Sequence, residues 1–230
     1  MRQKKLKTNK IMKNIFKQII LLVLVASPYI YLYFIWQQLP DRVPTHFNFQ
    51  GVADAWSGKT FLLFIPTGLS AFIYLIMLAL PYIDPKKKIS DMGEKYTSLR
   101  FVFTVFFSML SFYLLYVTKA GSIKNMSLLF ALIGIMLAVF GNYFQAVRPN
   151  YFIGVRTPWT LESEQVWKKT HHLAGRLWMA GGILIILLSF IISNNLALVI
   201  VFTSLIAVMA LIPIVFSYIE FKKEKKVHNL

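Results

Sequence analysis

The apolar positions of this chain come in unbroken runs cut apart by charged residues. Uncharged stretches lie between Lys17 and Asp41, Lys59 and Asp84, Arg100 and Lys119, and Lys124 and Arg148, with lengths of 23, 24, 18 and 23 residues. A helix needs roughly 20 apolar residues to cross the hydrocarbon core of a bilayer, so each stretch holds one crossing. The last stretch, between Arg176 and Glu220, runs for 43 residues. That is too long for one crossing and enough for two if Ser193, Asn194 and Asn195 turn the chain. The pattern predicts an all-α integral membrane protein with about six transmembrane helices.

Composition agrees, with 57% hydrophobic residues and only 15% charged ones. The 25 lysines and arginines against 9 acidic residues would suggest nucleic acid in a soluble chain; here the charge reports topology, and no direct nucleic-acid partner is expected. With six crossings, 21 of the basic residues fall on one face and 4 on the other. Five crossings would weaken the bias to 17 against 8. Basic residues concentrate on the cytoplasmic side, so both termini are predicted to be cytoplasmic. The organisation follows: a basic cytoplasmic tail over 1–17, lying on anionic lipid; a three-helix half over 18–120 with an outer loop at 39–59; and a second three-helix half over 121–230 with a cytoplasmic loop at 148–172. The first apolar run continues from Ile19 through Trp36 without a small-residue cleavage site, which makes it an uncleaved anchor rather than a secretory signal.

Two loops exceed the few residues that join packed helices, and long loops carry function or disorder. In the outer loop, Phe47 and Phe49 alternate with His46, Asn48 and Gln50, the pattern of a short extended segment with one apolar edge. Trp56 anchors the far end. The candidate ligand-binding residues here are His46, Phe47, Asn48, Phe49, Asp54 and Trp56. One histidine and two aspartates without helical spacing make a weak metal site, so His46 is expected to bond the backbone of its own loop.

The cytoplasmic loop has the densest chemistry. Thr157 before Pro158 reads as a helix cap and first helical position, with Thr160 as the alternative cap. Val166, Thr170, Leu173 and Leu177 recur at helical spacing, so a helix starts before the membrane does. Its candidate motif comprises Asn150, Gly154, Arg156, Thr157, Pro158, Trp159, Thr160 and Trp167. Arg148, Arg156, Lys168, Lys169 and Arg176 read either as topological charge facing lipid headgroups or as an acceptor for phosphate or an acidic surface. His171 and His172 point about 100° apart on a helix and do not share a metal.

In the fourth crossing, Gly134, Ala138 and Asn142 follow at every fourth residue, with Gly141 and Gln145 beside them. Such a stripe lets helices approach and satisfies amides across the contact; the sharper reading is a site lined by Asn142 and Gln145. No cysteine is present. No nucleophile and base pair with each other and no metal cluster is visible, so no catalytic residue, metal or cofactor is assigned.

The segment Gly141-Asn142, then Ile153 through Leu161 reading IGVRTPWTL, then Glu164 and Trp167, resembles the SdpI immunity-protein family of bacteria. The outer loop from Leu39 to Asn48, with Gly51, resembles the domain of unknown function that often forms the first half of such proteins. The resemblance implies a multi-pass protein of the bacterial cell membrane that protects its producer from a secreted killing peptide and signals inward to a soluble repressor. The competing class is a small-solute or peptide transporter, drawn from a faint symmetry in which each three-helix half carries its longest loop between its first and second helices, on opposite faces.

Overall fold

A computed structural model describes the backbone of residues 2–85 and 87–228, and the side chains of 15–85 and 87–226. Most of the expected basic tail over 1–17 therefore lies outside the described side chains. Helix α1 (Arg2–Ile35) leads to strands β1 (Arg42–Phe47) and β2 (Ala53–Gly58). The chain continues through α2 (Lys59–Ile83), α3 (Glu94–Ala120), α4 (Ser127–Phe144), a short α5 (Pro158–Glu162), α6 (Glu164–Ile191) and α7 (Asn195–His228). Among the described residues six helices, all but α5, are long and apolar enough to cross a membrane. The chain is an all-α multi-pass membrane protein, with one β-hairpin as its exception. The turn at 193–195 falls where expected: α6 stops at Ile191, and Asn194 Oδ1 accepts the Ala197 N–H (2.9 Å) at the start of α7.

Six antiparallel crossings leave two ends. The hairpin end carries β1, β2 and the α3–α4 and α6–α7 turns; the motif end carries the α2–α3 and α4–α6 connections.

Helix α6 packs most extensively on α4 and next on α7. Small residues make the α4–α6 contact. A Cβ on Gly141 would lie 2.5 Å from the Met179 nitrogen, and one on Gly182 would lie 2.5 Å from both the Ala138 nitrogen and the Gly134 oxygen. With no hydrophobic drive between helices in lipid, such backbone proximity supplies the association through van der Waals contact. The approach face is Gly134, Ala138 and Gly141, not the every-fourth-residue stripe through Asn142. Asn142 and Gln145 are exposed, which departs from their expected place as amides bonded across the contact.

In the first half α3 packs on α1 and α2. Arg100, Thr104, Ser108, Ser111 and Thr118 all lie buried along α3. Ser111 meets Ser70 of α2 through their hydroxyls at 3.0 Å. Arg100 is only 9% exposed and lies 6.0 Å from the centre of the Tyr74 ring. Among the described residues its Nε and the Ser108 hydroxyl have no hydrogen-bond partner.

Candidate functional site

The outer loop folds as an antiparallel hairpin. The extended segment expected from the alternation over His46–Gln50 overlaps β1 only at His46 and Phe47, because residues 48–50 form the turn; the partner strand Ala53–Gly58 was not expected. Register runs from Arg42 opposite Gly58 to Phe47 opposite Ala53, with irregularities between Pro44 and Phe47. Asn48 builds the turn: its Oδ1 accepts the N–H groups of Gln50 and Val52, both at 3.0 Å. That carbonyl is therefore engaged within the loop rather than offered to a ligand. The tip is fastened to the neighbouring α3–α4 turn, where the Ile123 N–H donates to the Gly51 carbonyl at 2.8 Å. Gly51 has φ +80°, and a Cβ there would come within 1.9 Å of the Ile123 oxygen, so the site admits only glycine.

The aromatic residues divide. Phe47 packs inward against the cluster containing Tyr113, Ile123 and Leu198. Phe49 and Trp56 point outward, 60% and 50% exposed. His46 Nδ1 lies 2.6 Å from Asp54 Oδ1 across the hairpin. The ring therefore meets a carboxylate, not the loop backbone that was expected, because the register irregularity sets His46 diagonal to Asp54. Among the described residues no three His, Asp or Glu side chains gather as metal ligands. The hairpin thus offers two exposed aromatic surfaces flanking a polar His–Asp pair.

At the motif end the chain between α4 and α6 is held from within. Asn150 is fully buried: its Oδ1 accepts the Phe152 and Ile153 N–H groups (2.8 and 2.7 Å), and its Nδ2 donates to the carbonyls of Arg148 and Ile153 (2.7 and 3.2 Å). Thr157 caps α5, with its hydroxyl accepting the Thr160 N–H while the Thr160 hydroxyl accepts the Thr157 N–H. Pro158 takes the first helical position, where its missing N–H costs nothing. Of the two caps considered, Thr157 is the one used, and Thr160 reciprocates. Ser163 caps α6 in turn by accepting the Val166 N–H at 3.2 Å.

Trp167 is buried, donating from Nε1 to the Val147 carbonyl (2.8 Å) and stacking on His171 with ring centres 4.0 Å apart. His171, also buried, closes the structure. Its Nε2 accepts the Val155 N–H at 3.0 Å, and its Nδ1 lies 2.9 Å from the Trp167 carbonyl, so the proton sits on Nδ1. Gly154 passes directly over this ring with φ +109°; a Cβ there would sit 2.2 Å from Nε2.

The motif then rests on α7. Thr157 and Ser217 share a hydroxyl hydrogen bond of 3.0 Å, Ser163 donates to Glu224 at 2.6 Å, and Trp159 packs 5.0 Å from the Tyr218 ring. Arg156 is exposed, with Nη1 donating to the Tyr151 carbonyl. Most motif residues are therefore scaffold; Arg156 and Pro158 are left at the surface, beside the exposed Tyr151.

Sequence reasoning missed three participants at the motif end and misplaced Arg100. His171 was weighed only as half of a metal pair, although its spacing of four from Trp167 puts both rings on one helical face. Ser217 and Glu224 lie some sixty residues from their partners and carry no local signal. Arg100 was read as a loop charge, whereas α3 begins six residues before it.

Residues 146–217 match the model of the SdpI/YfhL protein family, and residues 23–70 match that of a domain of unknown function, DUF1648. The chain is 28% identical over 211 residues to Immunity protein SdpI of Bacillus subtilis (strain 168), covering 90% of this chain and 97% of that protein. No solved structure matches it. The first match takes in the motif, α5, α6 and α7 as far as Ser217; the other takes in the end of α1, the hairpin and the start of α2. Residues 146–217 thus resemble the SdpI/YfhL protein family and residues 23–70 the domain of unknown function ahead of them, in a multi-pass bacterial membrane protein.

Proposed function

We propose that this chain is a membrane immunity protein that protects its producer from a secreted, membrane-active peptide met at the hairpin. The likeness to Immunity protein SdpI over nearly the full length of both chains carries the reading. The division of charge, 21 basic residues against 4, supports an outward hairpin end and a cytoplasmic motif end with both termini. Phe49 and Trp56 supply exposed apolar contacts for an amphipathic peptide, and His46 with Asp54 a polar one. The hairpin's bond to the α3–α4 turn gives such contacts a route into the bundle, and a peptide shifts the helices only by as much as it favours one arrangement. The inward signal to a soluble repressor belongs to the exposed motif surface at Tyr151, Arg156 and Pro158.

The test is protection of a sensitive strain challenged with the cognate peptide. Removing one aromatic contact worth about 2 kcal/mol lowers peptide affinity roughly thirty-fold. Trp56→Ala with Phe49→Ala should abolish protection while the membrane level of the protein is unchanged. Full protection by that double variant would refute the hairpin as the contact.

Transport is a second reading, and the buried polar file along α3 from Arg100 to Thr118 favours it. Solute uptake into proteoliposomes that falls in Ser108→Leu and leaves protection intact would promote it above immunity.

A further inference from the structure

Where α6 and α7 leave the apolar layer, a groove of about 510 Å³ opens between them, lined by Lys168, Lys169, His172, Leu173 and Arg176 of α6 and by Phe216 of α7. Lys168, His172 and Arg176 recur at every fourth residue and so lie along one face, roughly 12 Å from first to last. All three are exposed. None of these three side chains makes a hydrogen bond or ion pair among the described residues. Lys169 differs, because its ammonium is engaged by Glu220 at 2.7 Å, and Glu220 also holds Lys223 at 2.8 Å. Glu220 is thus met by two cations, and no acidic residue lines the groove itself.

The depth of this cluster selects its ligand. The 43-residue uncharged run begins immediately after Arg176 and contains Phe216. The groove therefore straddles the boundary between hydrocarbon and headgroup, a layer about 5–7 Å deep on each side of the bilayer. A soluble anion would use the cations and leave the apolar wall of Leu173 and Phe216 empty. A phospholipid uses both, with its phosphate on the guanidinium and ammonium and an acyl chain along the wall.

We propose that this groove is a binding site for an anionic phospholipid, with Arg176, His172 and Lys168 meeting its headgroup and Leu173 and Phe216 its chain. Orientation in the membrane and the immunity reading do not enter this inference.

The experiment follows thermal unfolding of the purified full-length protein in a neutral detergent. Phosphatidylglycerol should raise the midpoint, and phosphatidylcholine and glycerol phosphate should not. Lys168→Gln with Arg176→Gln should require at least ten-fold more phosphatidylglycerol for half the shift, while melting like the parent in detergent alone. Each single substitution should give a smaller loss, which keeps the test readable if the double variant melts early. Lys88→Gln with Lys95→Gln removes the same charge at the same end and should leave the shift intact. An undiminished shift in the groove variant, or an equal loss in the control, would overturn the site in favour of diffuse charge. The same rise from glycerol phosphate would assign the groove to a soluble phosphate and overturn the lipid.

Discussion

Gly154→Ala tests whether the motif is closed by His171. The new methyl carries two costs. A side chain held at φ +109° is strained by about 1–3 kcal/mol. The Cβ also lands 2.2 Å from Nε2 of a ring that Trp167 and Phe144 hold from two sides, so ring and loop must part. Parting them leaves the half-buried Val155 N–H without its partner, a further loss of about 1–3 kcal/mol. The variant should thus be less stable by about 2–6 kcal/mol. In a His171→Ala background the second cost is already present, and Gly154→Ala should add only the backbone strain. The cycle therefore carries a coupling of about 1–3 kcal/mol. Unfolding of the four proteins in dodecyl sulfate, followed by tryptophan fluorescence, measures it. Additivity within about 0.5 kcal/mol would refute the closure, because independent sites add to that precision.

Three further outcomes are expected. The chain lacks cysteine, so single cysteines report topology: an impermeant maleimide should label position 50 in intact cells and leave position 165 unlabelled, and the reverse would invert the orientation. Gly182→Val should abolish the folded bundle, since its Cβ meets two backbone atoms of α4 at 2.5 Å, whereas Gly68→Ala meets open space and should melt with the parent; equal midpoints would refute the close α4–α6 contact. Asn150→Ala removes a fully buried side chain and its four hydrogen bonds and should cost about 2–4 kcal/mol by the same unfolding assay, while Arg156→Ala at the surface should cost under about 1 kcal/mol.

The six crossings were legible because charge is costly in hydrocarbon, so charged residues mark where helices leave it. The same marking misread Arg100, since packed protein tolerates a buried guanidinium that lipid would reject. The hairpin was half legible. The alternation of Phe47 and Phe49 with polar residues falls on the end of β1 and the turn after it, while Ala53 through Gly58 carries two alanines, a serine and a glycine, and its pairing is set by contact with β1 rather than by its own pattern. The caps at Thr157 and Pro158 follow from local chemistry and were visible in six residues. The ring of His171 was not, because its role depends on the chain returning sixteen residues earlier to place the Val155 N–H beside it. On α4, a rotation of one residue, from Asn142 to Gly141, decides which side chain faces α6, and periodicity alone does not resolve that.

The polar file on α3 also bears on how the protein is made. An arginine costs about 2.5–3.5 kcal/mol at the centre of a helix entering the bilayer, less toward an end, and a run of serines and threonines adds little in favour of entry. Alone at the insertion channel, α3 presents Arg100, Thr104, Ser108 and Ser111 to lipid. Helices α1 and α2 precede it in the chain and pack on it, with Tyr74 beside Arg100 and Ser70 on Ser111. Synthesis order therefore matches the order in which the polar side chains need shelter: two apolar helices wait in the membrane, and the third leaves the channel onto them. A ribosome delivering α3 first would meet the same sequence with no cover for it.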